Sequence, residues 1–122
     1  MTAVQARLET RATTVGGASA IAASGELDIK TAPQLSEEVE LAAWSTVGAF
    51  VLDLGGLTLL DSSGLHALLR ARALLAREDR PLVLVCPPGP VRRVLDLASV
   101  LDTFVTYPSA EAAAAALVPA DD

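Results

Sequence analysis

The chain has 122 residues, 52% of them apolar but only 3% aromatic, which suits one compact domain with a core of Ala, Leu and Val and leaves no room for separate catalytic and regulatory modules. The formal net charge is −6, with Lys30 the single lysine and only Arg92 and Arg93 adjacent among the basic residues, so the concentrated positive patch of a nucleic-acid groove is missing. One cysteine, Cys86, and one histidine, His66, exclude an internal disulfide and a Cys/His zinc set.

Near the N-terminus, Arg7, Glu9 and Arg11 stand where a secretory leader would need an apolar stretch, and no later run approaches the roughly 20 apolar residues of a membrane span. A cytoplasmic protein without membrane contact is expected. Partial alternation of apolar and polar residues predicts a strand over Arg7 to Val15. Gly16-Gly17 supplies the positive φ angles of a tight hairpin, and Ala18 to Ser24 reads as the returning strand.

After Gly25-Glu26-Leu27-Asp28, Thr31 is a candidate N-cap with Gln34 three residues on, and Pro33 is tolerated in a first helical turn. Leu35, Val39 and Ala42 then recur at helical spacing up to about Trp44. Ala49 to Leu54 is a short apolar run broken only by Asp53, the pattern of a strand covered on both faces, and Pro81 to Cys86 is a second one. Between them, Ser63 to about Arg77 reads as a helix with Leu65, Leu68, Leu69, Leu75 and Ala76 on its apolar face, so strand, helix and strand form a right-handed parallel crossover. Pro90 starts a helix carrying Val91, Val94, Leu95 and Ala98; Thr103 to Tyr107 is a last strand, and Ser109 caps an alanine-rich terminal helix.

The expected architecture is a single α/β domain over residues 7–117, a mixed, mostly parallel sheet of about four to five strands flanked by about four helices. Residues 1–6 and 118–122 are expected to be loose termini. Neither an internal repeat nor a linker is evident.

The chemistry concentrates at Leu60-Asp61-Ser62-Ser63-Gly64-Leu65, beyond the C-terminal end of the first apolar strand and at the start of a helix, where open α/β sheets place functional groups. Either serine could accept a hydrogen bond from a first-turn amide, and the helix dipole favours negative charge there. The plain reading is a helix cap. Asp61 is a capping or loop-fixing carboxylate, or else a group orienting the hydroxyl toward ATP. Asp53 is expected to be a buried acceptor for loop amides, Cys86 a small hydrophobe, and Arg72 a side chain with a buried stem inside the apolar stripe. At about 100° per residue, Ser63, His66, Arg70 and Arg77 share one helical stripe. The first three are candidates for a partner-facing surface, and Arg77 reads as solvated.

Taken together, Gly25-Glu26-Leu27-Asp28 and Asp61-Ser62-Ser63-Gly64-Leu65, flanking Val51-Leu52-Asp53-Leu54 and followed by Val91-Arg92-Arg93-Val94-Leu95, resemble a STAS domain of the anti-sigma factor antagonist family over nearly the whole chain. The resemblance implies a cycle without catalysis by this chain and without a cofactor or metal. The unphosphorylated antagonist binds an anti-sigma factor kinase and releases a sigma factor, phosphorylation ends the binding, and a phosphoprotein phosphatase restores it. Carried over by position, the phosphoacceptor is Ser63, with Ser62 beside it as second candidate. Asp28, Asp61, Ser62, Ser63, Gly64, His66 and Arg70 are the expected partner-binding positions, and a monomer or weak dimer is expected. His66 departs from the small residue the family often has there.

Among rival readings, a serine nucleophile lacks Gly-x-Ser-x-Gly, and the sole histidine lies on the same helix. An acidic carrier protein is a helical bundle, against the two apolar strands. A nucleotide-binding role lacks a phosphate loop with its lysine. Within the fold, a STAS scaffold or sensory module without a phosphorylation cycle is the alternative.

Overall fold

The computed structural model describes residues 7–118, so the expected looseness of 1–6 and 119–122 lies outside the described residues. Val118 is described: its amide donates to Ala114 O at 3.1 Å at the end of the last helix.

Among the described residues five strands and four helices follow one another: β1 (Leu8–Val15), β2 (Ala18–Leu27), α1 (Ala32–Trp44), β3 (Phe50–Leu60), α2 (Ser62–Ala76), β4 (Leu82–Val85), α3 (Pro90–Leu97), β5 (Val105–Tyr107) and α4 (Ala110–Leu117), with a 3-10 turn at Leu101–Thr103. The strands lie side by side in chain order, β1 antiparallel to β2 and every later pair parallel, as the mixed, mostly parallel expectation required. Gly16 and Gly17, at φ of 58° and 82°, make the hairpin turn between β1 and β2, a combination that L side chains adopt at a cost.

Because β2 to β5 succeed one another in a single direction, right-handed crossovers must leave α1, α2 and α3 on one face of the sheet. The main core agrees: Leu35 and Val39 of α1, Leu68 and Leu75 of α2 and Leu95 of α3 are buried with Phe50, Leu52, Leu54 and Leu84. α4 is no crossover; it returns across the opposite face, where Ala113 packs with Val15, Ala20, Val51, Val83 and Val85. β3 is therefore covered on both sides, which explains its nearly continuous apolar run. Burial of each large aliphatic side chain contributes about 1.5–3 kcal/mol, so this nearly aromatic-free core rests on the number of its Leu and Val residues.

Several boundaries differ from the sequence reading. β2 runs on to Leu27 and β3 to Leu60, because the two strands remain paired through Glu26↔Leu59 and Leu27↔Leu60 across two register shifts. Gly55-Gly56 does not end the strand; it sits at a shift where the ladder bulges and continues. The last strand starts at Val105, since Leu101–Thr103 winds into the 3-10 turn. Ala76 and Ala98 are exposed, and so is Arg72: the buried side of α2 is Gly64, Leu65, Ala67, Leu68, Ala71 and Leu75, and Arg72 lies outside it. Asp53 is half-buried and accepts from Gly55 N at 2.9 Å, so it serves a loop amide from a partly solvated position. Cys86 is fully buried, and its burial pushes the thiol pKa up against the opposing charge of Arg92.

One buried charge had no signal in the apolar pattern. Arg80 is 6% exposed and donates to Gly48 O at 2.7 Å, Ala43 O at 3.0 Å and Thr46 Oγ1 at 2.9 Å, pinning the segment between α1 and β3. Arg80→Ala would leave the two carbonyls without donors, and a loss of about 2–3 kcal/mol is expected. Urea unfolding should be followed by far-UV circular dichroism, because Trp44, at 87% exposed, reports little of the core.

Candidate functional site

Two loops meet at the C-terminal ends of β2 and β3. The first, Asp28 to Thr31, is folded around the Asp28 carboxylate: Oδ1 accepts from Lys30 N at 2.9 Å and Thr31 N at 3.1 Å, an Asx turn. Thr31 is not a side-chain cap, in contrast to the sequence reading. Its hydroxyl donates to Glu26 O at 2.8 Å and accepts from Asp28 N at 2.9 Å, and Gln34 Nε2 turns away to Leu8 O at 3.4 Å. Arg7 Nη2 holds the outer side of the loop, donating to Asp28 Oδ2 and Glu26 Oε1 at 3.0 Å each.

The second loop is the start of α2, and its cap is Asp61 rather than either serine. Asp61 Oδ1 accepts from Gly64 N at 2.9 Å, and the Asp61 carbonyl accepts from Leu65 N at 2.9 Å. The other carboxylate oxygen, Oδ2, accepts from Ile29 N at 3.2 Å, while Asp61 N donates to Leu27 O at 3.2 Å. Asp61 thus ties the two loops together, which supports its capping and loop-fixing role. Gly64 makes their approach possible: a Cβ there would lie 2.7 Å from Leu27 O and from Leu60 Cδ1.

With capping assigned to Asp61, Ser62 and Ser63 occupy the first turn of α2, and neither hydroxyl is held by a side-chain hydrogen bond among the described residues. Ser62 is exposed and Ser63 half-buried. Ser63 opens onto a groove of about 490 Å³ between α1 and α2, lined also by Ile29, Pro33, Glu37, Glu40, His66 and Arg70. A second groove, of about 320 Å³, continues along the same helices past Glu40, Arg70 and Arg77. The structure therefore gathers Ser63, His66 and Arg70 on one groove wall, with Asp28, Asp61 and Gly64 behind them as the frame.

Sequence reasoning missed Glu37, Glu40 and Ile29, which complete the groove, and Arg7, which clamps Asp28. Ile29 carried a faint signal, an apolar residue between Asp28 and Lys30 in a turn, and it is 71% exposed. The groove is mixed in charge: two carboxylates on the α1 side face His66 and Arg70 on the α2 side. Among the described residues no group of three or more His, Cys, Asp and Glu gathers as a metal site, and no helix is long and apolar enough to cross a membrane.

Comparison with known proteins gives a consistent result. A model of the STAS domain family matches residues 9–113. An anti-sigma factor antagonist from Mycobacterium paratuberculosis superposes with a TM-score of 0.81 at 29% identity, covering 90% of this chain and 93% of that one. The anti-sigma factor antagonist SpoIIAA in its unphosphorylated form gives 0.58 at 22% identity, covering 73% of this chain and 83% of that one. The phosphorylated form of the Bacillus cell fate determinant SpoIIAA gives 0.61 at 20%, covering 81% and 91%. The last two likenesses show the fold. No curated protein matches the chain.

The Asp28 cluster has a pH signature. Burial opposes ionisation of Asp28, but the Lys30 and Thr31 amides, the Arg7 guanidinium and the Thr31 hydroxyl outweigh it and hold the carboxyl below its ordinary range. A lowered folded-state pKa means that the stabilisation is present above the unfolded value of about 4 and is lost as pH falls through the folded value. Asp28→Asn should therefore be less stable than the parent at pH 7, and the gap between their urea midpoints should narrow steadily below about pH 4.

Proposed function

The chain belongs to the STAS domain family, and on that footing we propose that it is an anti-sigma factor antagonist switched by phosphate on Ser63. In this reading the unmodified chain binds an anti-sigma factor kinase and so frees a sigma factor. The kinase ends the binding by phosphorylating Ser63, and a phosphoprotein phosphatase restores it. The protein works by binding, without a cofactor, in the cytoplasm.

The observation that carries the reading is the division of labour at the start of α2. Asp61 caps the helix, so the Ser63 hydroxyl at the groove has no structural duty and can be esterified without removing a cap. A phosphate there brings about −1.5 to −2 charges and three acceptor oxygens. The helix dipole favours that charge, so α2 should persist. The change falls on the partner. Glu37 and Glu40 already stand across the groove, and a docked protein that tolerates them meets a much stronger negative field once Ser63 is modified. About 1.4 kcal/mol of repulsion is a tenfold loss of affinity, so no refolding is needed.

His66 and Arg70 oppose this charge from the same wall. His66, one turn from Ser63 and exposed, shares that wall with the acceptor hydroxyl. Asp28 and Asp61 set the loop and helix start against which the partner closes. Ser62, exposed beside Ser63, is the second candidate acceptor.

Incubation with an anti-sigma factor kinase and ATP, read by intact mass and site mapping, should add one phosphate at Ser63 and none to Ser63→Ala. Ser63→Ala should bind the kinase with or without ATP, whereas Ser63→Asp should bind at least about tenfold more weakly than the parent. A phosphate retained by Ser63→Ala and lost from Ser62→Ala would move the switch to Ser62. Binding that ignores both Ser63 substitutions, with no phosphate gained by the parent, would leave a STAS scaffold.

A further inference from the structure

The sheet ends on β1, whose outer side pairs with no strand among the described residues. The two-residue turn makes Val15 and Ala18 the first ladder pair, and the Arg7 carbonyl still accepts from Glu26 N at 2.6 Å at the far end. Odd-numbered residues of β1 thus turn their amides and carbonyls toward β2, and even-numbered ones turn theirs outward. Leu8, Thr10, Ala12 and Thr14 present an open edge. Among the described residues only the Leu8 carbonyl is approached there, by Gln34 Nε2 at 3.4 Å, and a carbonyl has a second lone pair.

An open edge is a template for another strand unless charges block it. β1 carries two exposed charges, Glu9 and Arg11, on the same face of the strand, and neither has an ion-pair partner among the described residues. α4 does not cover them; they border an open trough of about 390 Å³ whose floor is made of small residues such as Ala22, Ser24 and Gly56.

We propose that this edge pairs with a second copy of the chain, the two β1 strands running antiparallel about a two-fold axis through Thr10, so that Glu9 of each copy faces Arg11 of the other. A two-fold makes the contact self-complementary: what residue i does to j, j does to i. Any residue of the strand can carry such an axis, and the centres that bring Glu9 and Arg11 into the ladder decide the charge pattern. An axis at Glu9 opposes Glu9 to itself, and one at Arg11 opposes Arg11 to itself. An axis at Ala12 leaves Arg11 against Thr13 and Glu9 against Val15. An axis at Leu8 would set Arg7 against Glu9, but Arg7 is already held by Glu26 and Asp28; only the axis at Thr10 sets Glu9 and Arg11 opposite each other, and it does so twice. Thr10 then exchanges both backbone hydrogen bonds with its counterpart, and Leu8 does so with Ala12. Glu9 and Arg11 meet as a non-hydrogen-bonded pair, the closer of the two cross-strand geometries. The Thr10 hydroxyl is already committed to Glu38 at 2.7 Å and is not needed for the contact. The same charges that discourage other strands therefore select this one. The ladder from Arg7 to Thr13 is short, so the dimer is weak and depends on concentration.

Sedimentation equilibrium of the full chain at low salt, up to about 1 mM, should show a reversible dimer that weakens as salt is added. Glu9→Arg and Arg11→Glu should each weaken it at least about tenfold, because each converts both ion pairs to like charges, and the double exchange should return it close to the parent. Ala12→Pro, which deletes an outward amide and none that β2 uses, should abolish it with an unchanged circular dichroism spectrum. Ser63→Ala should dimerise like the parent, so the result is independent of the switch. A chain that stays monomeric throughout, single substitutions without effect, or a double exchange that fails to rescue would each overturn the proposal.

Discussion

One carboxylate holds the candidate site together. Asp61 gives one oxygen to Gly64 N at the start of α2 and the other to Ile29 N in the loop after β2, so a single side chain fixes both the helix start and the loop against it. An N-cap alone contributes about 1 kcal/mol. Its larger effect here is geometric, because the groove beside Ser63 has a defined shape only while the Ile29 loop and α2 keep their relative position.

Around that tie the chain builds a layered support. Asp28 orders its own loop through the Lys30 and Thr31 amides, and Arg7, at the start of β1, draws Asp28 and Glu26 into one ion cluster. The β1–β2 hairpin is therefore connected electrostatically to the loop that faces Ser63, while α1 and α2 supply the groove walls from their buried contacts on the sheet. Rigid elements carry the frame and leave the Ser63 hydroxyl at the groove outside its hydrogen bonds, an arrangement that would suit the proposed regulation by modification better than regulation by refolding.

Much of this was legible in local pattern. The serine pair, the acidic loop before it and the stripe Ser63, His66, Arg70 follow from motif and helical period; the structure places Ser63, His66 and Arg70 at one groove and Asp28 and Asp61 in its frame, with Ser62 exposed beside them. Some of what was missed was also written locally. A two-residue turn at Gly16-Gly17 fixes the hairpin register and so sets Arg7 opposite Glu26, as the pairing of Leu8 with Gly25 bears out. The choice of cap was harder, because Asp61, Ser62 and Ser63 are all competent N-caps in isolation. The backbone settles it: Asp61 is extended, with φ −106° and ψ −174°, and leaves the serines inside the first turn.

The sequence by itself determined the order and type of the elements, the aliphatic core and the location of the serines, since apolar periodicity, turn glycines and capping residues act within a few positions along the chain. The tertiary structure alone decided the length of β2 and β3, the burial of Arg80 against the segment after α1, and the meeting of Glu37 and Glu40 with His66 and Arg70. Each of these depends on groups that sheet pairing or helix packing brings together from 26 or more positions apart, and such contacts leave no period in the sequence to be read.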